Sequence, residues 1–491
     1  MAIYKTPGVY VEELSNLPQS VADVPTAIAG FVGYTEKASK ANTPIRITSL
    51  MEYESIFGAG PDPDDFDPKT RFVTYDSIRL FYDNGGGVCY VVSIGKYKRD
   101  IKSDDFINGL KALEKIDEVT LLVAPDAAST LGEDDLAKVQ QAMLKQCAEL
   151  RDRFAILDVK YQPEKDIQDT IKNFREKIGT TGLAYGAAYY PYVSTSYNYL
   201  FSFETIVKKM FEEYYKKEED KEKLFKEILK DDAKSIAIIK SALKVTKNND
   251  GATQEPAQEG EQPQPQNSVS EDEEKALKDS LKNYLPYYAE TEAECVAKMS
   301  IVPPSGAIAG IYAQTDNFSG VWQAPANVGI ASVKDLTCLI NNQAQEDMND
   351  TPTGKSVNAI RFFSGKGILV WGARTLKAND LEWRYIPVRR LFNYVEESVQ
   401  ESTEWAIFSP NTQNTWTKVK SQIENFLYNI WRAGGLAGAT PAEAYYVNVG
   451  LGITMDSTDI LNGRMIVEIG MAAIRPAEFI VLRFSHKVQE S

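Results

Sequence analysis

The sequence predicts a multi-domain protein that combines α/β and α+β architecture, and three observations predict it. A length of 491 residues exceeds what one simple core holds. From about residue 50 to 160, helical spacing alternates with short apolar runs, the pattern of an α/β unit with mostly parallel strands. Between Glu204 and Glu294 the composition turns to charged helix and then to a polar, acidic tract, before folded chain resumes.

The elements follow in order. The stretch IYKTPGVYVEEL (Ile3 to Leu14) alternates as a strand does, with Val9 and Val11 on one side and Tyr10 and Glu12 on the other. No strand partner follows it directly, and an unpaired strand recruits other chains. Val21 to Ala38 reads as a buried strand leading into a loop. Leu50, Tyr53, Ile56 and Phe57 then have helical spacing, stopped by Gly58 and Pro61. The stretch YDSIRLFYDNGGGVCYVVSIG gives a helix face of Ile78, Phe81 and Tyr82, a glycine turn at Gly85 to Gly87, and a strand from Val88 to Ile94. The same logic repeats with a helix near Leu110 to Ile116 and the strand Val119 to Val123. A third helix–strand unit follows through LAKVQQAMLKQCAELRDRFAILDV.

Residues 204–294 read as a charged helical insertion. Its segment 248–274 carries no basic residue and only Val269 as a large apolar one. Such a tract cannot bury enough surface to offset its ordering entropy, so a disordered loop is expected there. Val357 to Phe363 reads as a strand. Ile423, Phe426, Leu427, Ile430 and Trp431 line one face of a helix that Gly434 and Gly435 end. Met465 to Gly470 and Phe479 to Phe484 read as two final strands, broken at Pro476.

Composition excludes several functions. A net charge of −15 opposes binding to nucleic-acid phosphates over most of the surface. Cys89, Cys147, Cys295 and Cys338 are widely spaced, so reduced, mostly buried thiols are expected rather than a disulfide or metal framework. His486 is the only histidine, which removes the commonest general base from nearly the whole chain. No signal peptide and no membrane span are expected, and the chain is read as folding in a cytoplasm. The stretch TPTGKS (Thr351 to Ser356) invites a phosphate-loop reading, but the glycine that loop needs falls at Asn349. Asp83 to Gly87 joins a helix to a strand and lacks the following helix start that would hold a phosphate. Acid pairs such as Asp64/Asp65 and Glu396/Glu397 are expected by chance among 69 acidic residues. No catalytic, cofactor or metal residue is assigned.

Several long blocks resemble the contractile tail sheath family of phages and phage-tail-like injection systems. They are TPGVYVEELSNLPQSVADVPTAIAGFVGYTEKA, SIRLFYDNGGGVCYVVSIG, PPSGAIAGIYAQTDNFSGVWQAPANVGI, NAIRFFSGKGILVWGARTL, WRYIPVRRLFNYVEESV, and the run from WRAGGLAGATPAEAYYVNV through FIVLRFSHKVQ. The likeness is greatest to extracellular injection particles and omits only residues 204–294.

The resemblance implies residues 1–22 as an N-terminal arm and 23–203 with 295–365 as a middle α/β domain. It implies 366–475 as a sheath-type C-terminal domain facing an inner tube, and 476–491 as a C-terminal strand arm. The arms, through Val9, Tyr10, Val11, Phe479, Ile480, Val481 and Leu482, would complete the sheets of neighbouring subunits. The implied partners are further copies of the chain, an inner tube protein, and baseplate and cap proteins, with no nucleic acid, membrane insertion or cofactor. Assembly is implied in a bacterial cytoplasm, within a phage tail or released particle. Lys418, Lys420 and Arg432, on a helix in the nearly neutral C-terminal region, are the expected tube-facing residues. A non-contractile polymeric scaffold and an α/β hydrolase are the competing readings.

Overall fold

Side-chain alternation along β1 (Ala29–Thr35) explains the centre of the fold: Phe31 enters one apolar cluster, Val32 and Tyr34 another, and all seven residues are buried. A strand apolar on both faces needs helices on both. The structure is a computed structural model that describes residues 21–38, 40–67, 70–97, 100–230, 232–244, 271–349, 352–479 and 481. The expected N-terminal strand with Val9, Tyr10 and Val11 lies outside these residues, as do most of 248–274, Ile480 and Leu482.

The other strands are β2 (Pro44–Ile47), β3 (Cys89–Lys96), β4 (Leu121–Val123), β5 (Phe154–Asp158), β6 (Gly186–Tyr190), β7 (Val193–Thr195) and β8 (Ile301–Val302). They continue with β9 (Val328–Gly329), β10 (Val333–Leu336), β11 (Val357–Phe363), β12 (Gly367–Trp371), β13 (Tyr445–Val449) and β14 (Val467–Met471). Nine form one sheet in the order β2-β3-β1-β4-β5-β6-β11-β12-β9, parallel from β3 to β11 and antiparallel at both edges.

Helices Ser103–Leu113, Glu133–Leu150 and Ile167–Lys177 pack on one face, and Leu50–Phe57, Thr74–Asp83 and Ser305–Ser319 on the other. On that second face Gly306 and Gly310 let the long helix lie directly on the backbone of Ser77 and Phe81. A Cβ at either glycine would meet a main-chain oxygen of its neighbour at 2.3 or 2.4 Å.

The C-terminal domain is expected from residue 366, and β12 lies just beyond that point. The turn after Phe363, with Gly365 at φ +78, folds β12 back on β11 from Ala359↔Trp371 to Phe363↔Gly367. These ladder bonds make β12 part of the large sheet.

The region expected as an insertion is helical and has its own core. Phe203, Ile206, Met210, Leu224, Ile239, Leu281, Tyr288 and Cys295 bury one another. The chain leaves the body after β7 and returns at β8, and these strands pair antiparallel in a second sheet of order β10-β7-β8.

After β12, helices Ile386–Ser402 and Gln413–Arg432 and the hairpin β13–β14 share a further core. Val419, Ile423, Phe426, Leu427 and Ile430 are its buried helix face, and Trp431 is half-buried with its Nε1 donating to the Gly438 carbonyl. At the described end of the chain, Phe479 and Val481 carry no regular structure.

Candidate assembly interface

The C-terminal sheet is the smallest among the described residues. Only β13 and β14 pair, in register from Tyr445↔Met471 to Val449↔Val467. Ala472 N–H donates to the Ala444 carbonyl at 2.8 Å. In an antiparallel ladder bonded pairs alternate, so Tyr446/Gly470 and Asn448/Glu468 bond inward. The N–H and C=O groups of Val467, Ile469 and Met471 therefore turn to the outer edge of β14, where no strand pairs among the described residues. The ring of Tyr446 lies across Gly470, where a Cβ would come within 2.2 Å of it, and its hydroxyl donates to Glu468 at 3.2 Å. One face of the hairpin is thus covered by its own side chains, and the other packs on helix Gln413–Arg432. What remains open is the edge.

Helix Gln413–Arg432 carries the three expected tube-facing residues. Lys418 and Arg432 are exposed, and both lie on the stripe Lys418, Ser421, Asn425, Asn429, Arg432. Lys420 does not join them. Two residues along a helix is a rotation of about 200°, and Lys420 is half-buried with its Nζ 3.7 Å from Glu424.

The start of the described chain is tied along helix Ile386–Ser402, and its end to Arg374 and to Tyr385, the residue that caps the start of that helix. Ala22 N–H donates to Ser402 Oγ at 3.1 Å, and Val24 N–H to Ser398 Oγ at 3.4 Å. Tyr394 OH donates to Asp23 at 2.8 Å, and Arg390 Nη2 to the Thr26 carbonyl at 2.8 Å. At the other end of the helix, Arg374 holds Glu478 through two donors: Nε to Oε1 at 2.9 Å and Nη2 to Oε2 at 2.6 Å. Tyr385 OH adds a bond to Oε2 at 3.2 Å. Beyond Glu478, Phe479 and Val481 are each 75% exposed. The sequence reading named none of these anchors. The signal was the four-residue spacing of Arg390, Tyr394, Ser398 and Ser402, which puts polar groups on one ridge of an otherwise amphipathic helix.

Charge is buried at the junction of this helix with the body. Arg390 and Asp316 pair at 2.6 Å with both side chains inside. The Arg153 guanidinium, fully buried, closes the end of helix Ser103–Leu113 by donating to the carbonyls of Leu113 and Ile116. Burial beside Asp152 and Glu401 pushes the Glu397 carboxyl up to about 8.

The residues weighed for chemistry have structural work. Lys355 Nζ donates to the Arg175 carbonyl at 2.6 Å, and Ser356 Oγ to the Asn349 carbonyl. Gly85, at φ +91, turns the chain out of helix Thr74–Asp83. Cys89, Cys147 and Cys295 are buried free thiols, and Cys338 is half-buried. Among the described residues no cluster of His, Cys, Asp and Glu is arranged to hold a metal, and no helix is long and apolar enough to cross a membrane.

The described residues thus form an α/β body bearing a small α+β domain with an unpaired strand edge, and comparison with known proteins shows what this arrangement is similar to. Residues 378–487 match the phage tail sheath C-terminal domain family. Over 135 residues the chain is 30% identical to the tail sheath protein of Vibrio phage KVP40 and, over an equal length, 25% identical to that of Enterobacteria phage T4. Those segments span 28% of this chain and 20% of each relative's length.

Two solved structures match almost throughout. The PVC sheath complex of an extracellular contractile injection system, in its contracted state, is 29% identical with a TM-score of 0.63 over 99% of both chains. The contracted helical sheath of the anti-feeding prophage is 28% identical with a TM-score of 0.60, over 99% of this chain and 100% of that one. Over residues 378–487 the chain is similar to the phage tail sheath C-terminal domain, and over nearly its whole length it is similar in architecture to contractile-system sheath subunits.

Proposed function

We propose that the chain polymerises helically around an inner tube and contracts from a metastable extended state, driving the tube through a target envelope. The observation that carries this reading is the two-stranded hairpin β13–β14 with its outer edge unpaired among the described residues. A strand from another copy satisfies that edge by main-chain bonds alone. The candidates are the arm with Val9, Tyr10 and Val11 and the arm with Phe479, Ile480, Val481 and Leu482. An arm of one copy on the edge of the next is a heterologous contact, which builds an open helix rather than a closed dimer. Ladder bonds tether subunits while rigid bodies repack, so contraction needs no nucleotide.

The partners this implies are further copies, the tube protein, and baseplate and cap proteins. The place of assembly is a bacterial cytoplasm. The exposed stripe with Lys418 and Arg432 faces the tube.

The test is removal of Met1 to Leu17. The full chain should form hollow cylinders of two lengths and widths in negative-stain micrographs, and the truncated chain should sediment as a monomer. Cylinders from the truncated chain would show that the N-terminal arm is not the link. Cylinders of one fixed width from the full chain would favour a non-contractile scaffold.

A further inference from the structure

One arm root is held along helix Ile386–Ser402 and the other by Arg374 and Tyr385, next to the start of that helix. Ala22, Asp23, Val24 and Thr26 lie along Ser402, Tyr394, Ser398 and Arg390, which occur every fourth residue and so form a single ridge. Val21 and Val24 are buried beside that ridge. The other root is fixed at the start of the same helix. The backbones of Arg374 and Tyr385 bridge each other, and Ile386 N–H donates to the Ala373 carbonyl at 3.0 Å. Arg374 is further held through Nη1 to the Asn349 carbonyl at 3.0 Å, which leaves Nε and Nη2 aimed at Glu478. The pair is largely shielded, with side-chain exposures of 10% and 18%.

We propose that helix Ile386–Ser402 is a strut that sets where both arms leave the subunit. Glu478 positions the C-terminal arm, and Tyr394 and Ser402 position the N-terminal one. A 17-residue helix is about 25 Å long, so the strut fixes the separation of the two exits. The body anchors it through the Arg390–Asp316 pair. Rotation of the body then turns both exits together instead of letting each arm swing alone. A bidentate guanidinium–carboxylate pair suits this role because it fixes direction as well as distance. This rests on the arm-exchange reading above.

The experiment uses the full chain with Glu478→Ala, and separately with Tyr394→Phe plus Ser402→Ala. Amide exchange of the peptide 472–479, measured below the concentration at which cylinders form, should accelerate about tenfold in the first variant. The thermal midpoint and circular dichroism should stay those of the parent. The yield of cylinders should fall about tenfold in each variant. The reversed pair Arg374→Glu with Glu478→Arg should recover part of it. Unchanged exchange in Glu478→Ala, or parental cylinder yield in both variants, overturns the strut. If the parent itself makes no cylinders, the arm-exchange reading fails, while exchange still reports whether Glu478 holds the root.

Discussion

Asp158 ends β5 exactly where helix Ser305–Ser319 begins, and accepts from Ser305 N–H at 2.9 Å and Ser305 Oγ at 2.5 Å. Burial raises its carboxyl from the ordinary 3.8 to about 7, against the pull of those two bonds. Asp126 is raised by burial to about 6, although it accepts from the backbone of Tyr34, Val73 and Thr74. Both carboxyls therefore hold protons in the folded chain that the unfolded chain has released above about pH 4. Their contribution to stability is complete below that pH and is lost as pH rises through 6 and 7. The urea midpoint should fall between pH 5 and pH 8. Asp158→Asn, neutral at every pH, should flatten the fall by roughly 1.4 kcal/mol for each pH unit over which the carboxyl would have stayed protonated. A slope identical to the parent's would show Asp158 ionised throughout. Neither residue stood out in the sequence, because their partners lie 147 and 92 residues away.

At the scale of elements, periodicity was legible and orientation only in part. The apolar face of helix Gln413–Arg432 is the one its sequence predicts, because spacing alone determines which side chains share a side. The same geometry separates Lys420 from Lys418, a distinction lost when basic residues are grouped by proximity along the chain. Gly306 and Gly310 carry a similar lesson. Their four-residue spacing signals close helix contact, but only the packing shows the Ser77 and Phe81 backbones as the surface approached. The helix orientation makes the tube-facing proposal specific. Lys418→Glu with Arg432→Glu reverses charge on the exposed stripe, whereas Lys420→Glu alters a flank already paired with Glu424. The double variant should give empty cylinders in micrographs, and the single variant tube-filled ones. Tube filling in both, or loss in both, would count against the stripe as the tube contact.

At the scale of the molecule, the α/β body was legible because each buried strand is a short apolar run followed or preceded by an amphipathic helix. The pairing of β12 was not, because it is made by hydrogen bonds to β11 rather than marked by its composition. The arm roots were not, because Ala22 and Ser402 are 380 residues apart. The change of character over 204–294 was legible in composition, and the chain is pinned where it leaves the body and where it returns. Val193 pairs with Val302 and Ser194 with Ile301, so the chain returns beside the point it left. Thr195 N–H also donates to the Ser300 carbonyl at 2.8 Å. The insertion buries its own side chains, and at its root Ser202 N–H donates to Asp64 and the Phe66 and Phe201 rings meet. If it decorates the outside of the polymer, as its acidic tract suits, the body needs only a short connection there. Replacing Ser202 to Met299 with a Gly/Ser linker of about eight residues shortens the loop between paired strands and lowers its closure cost. The shortened chain should unfold cooperatively near the parent midpoint and still form cylinders, narrower by the volume removed. A chain that folds but stays monomeric would place subunit contacts on the insertion and remove it from the outer surface.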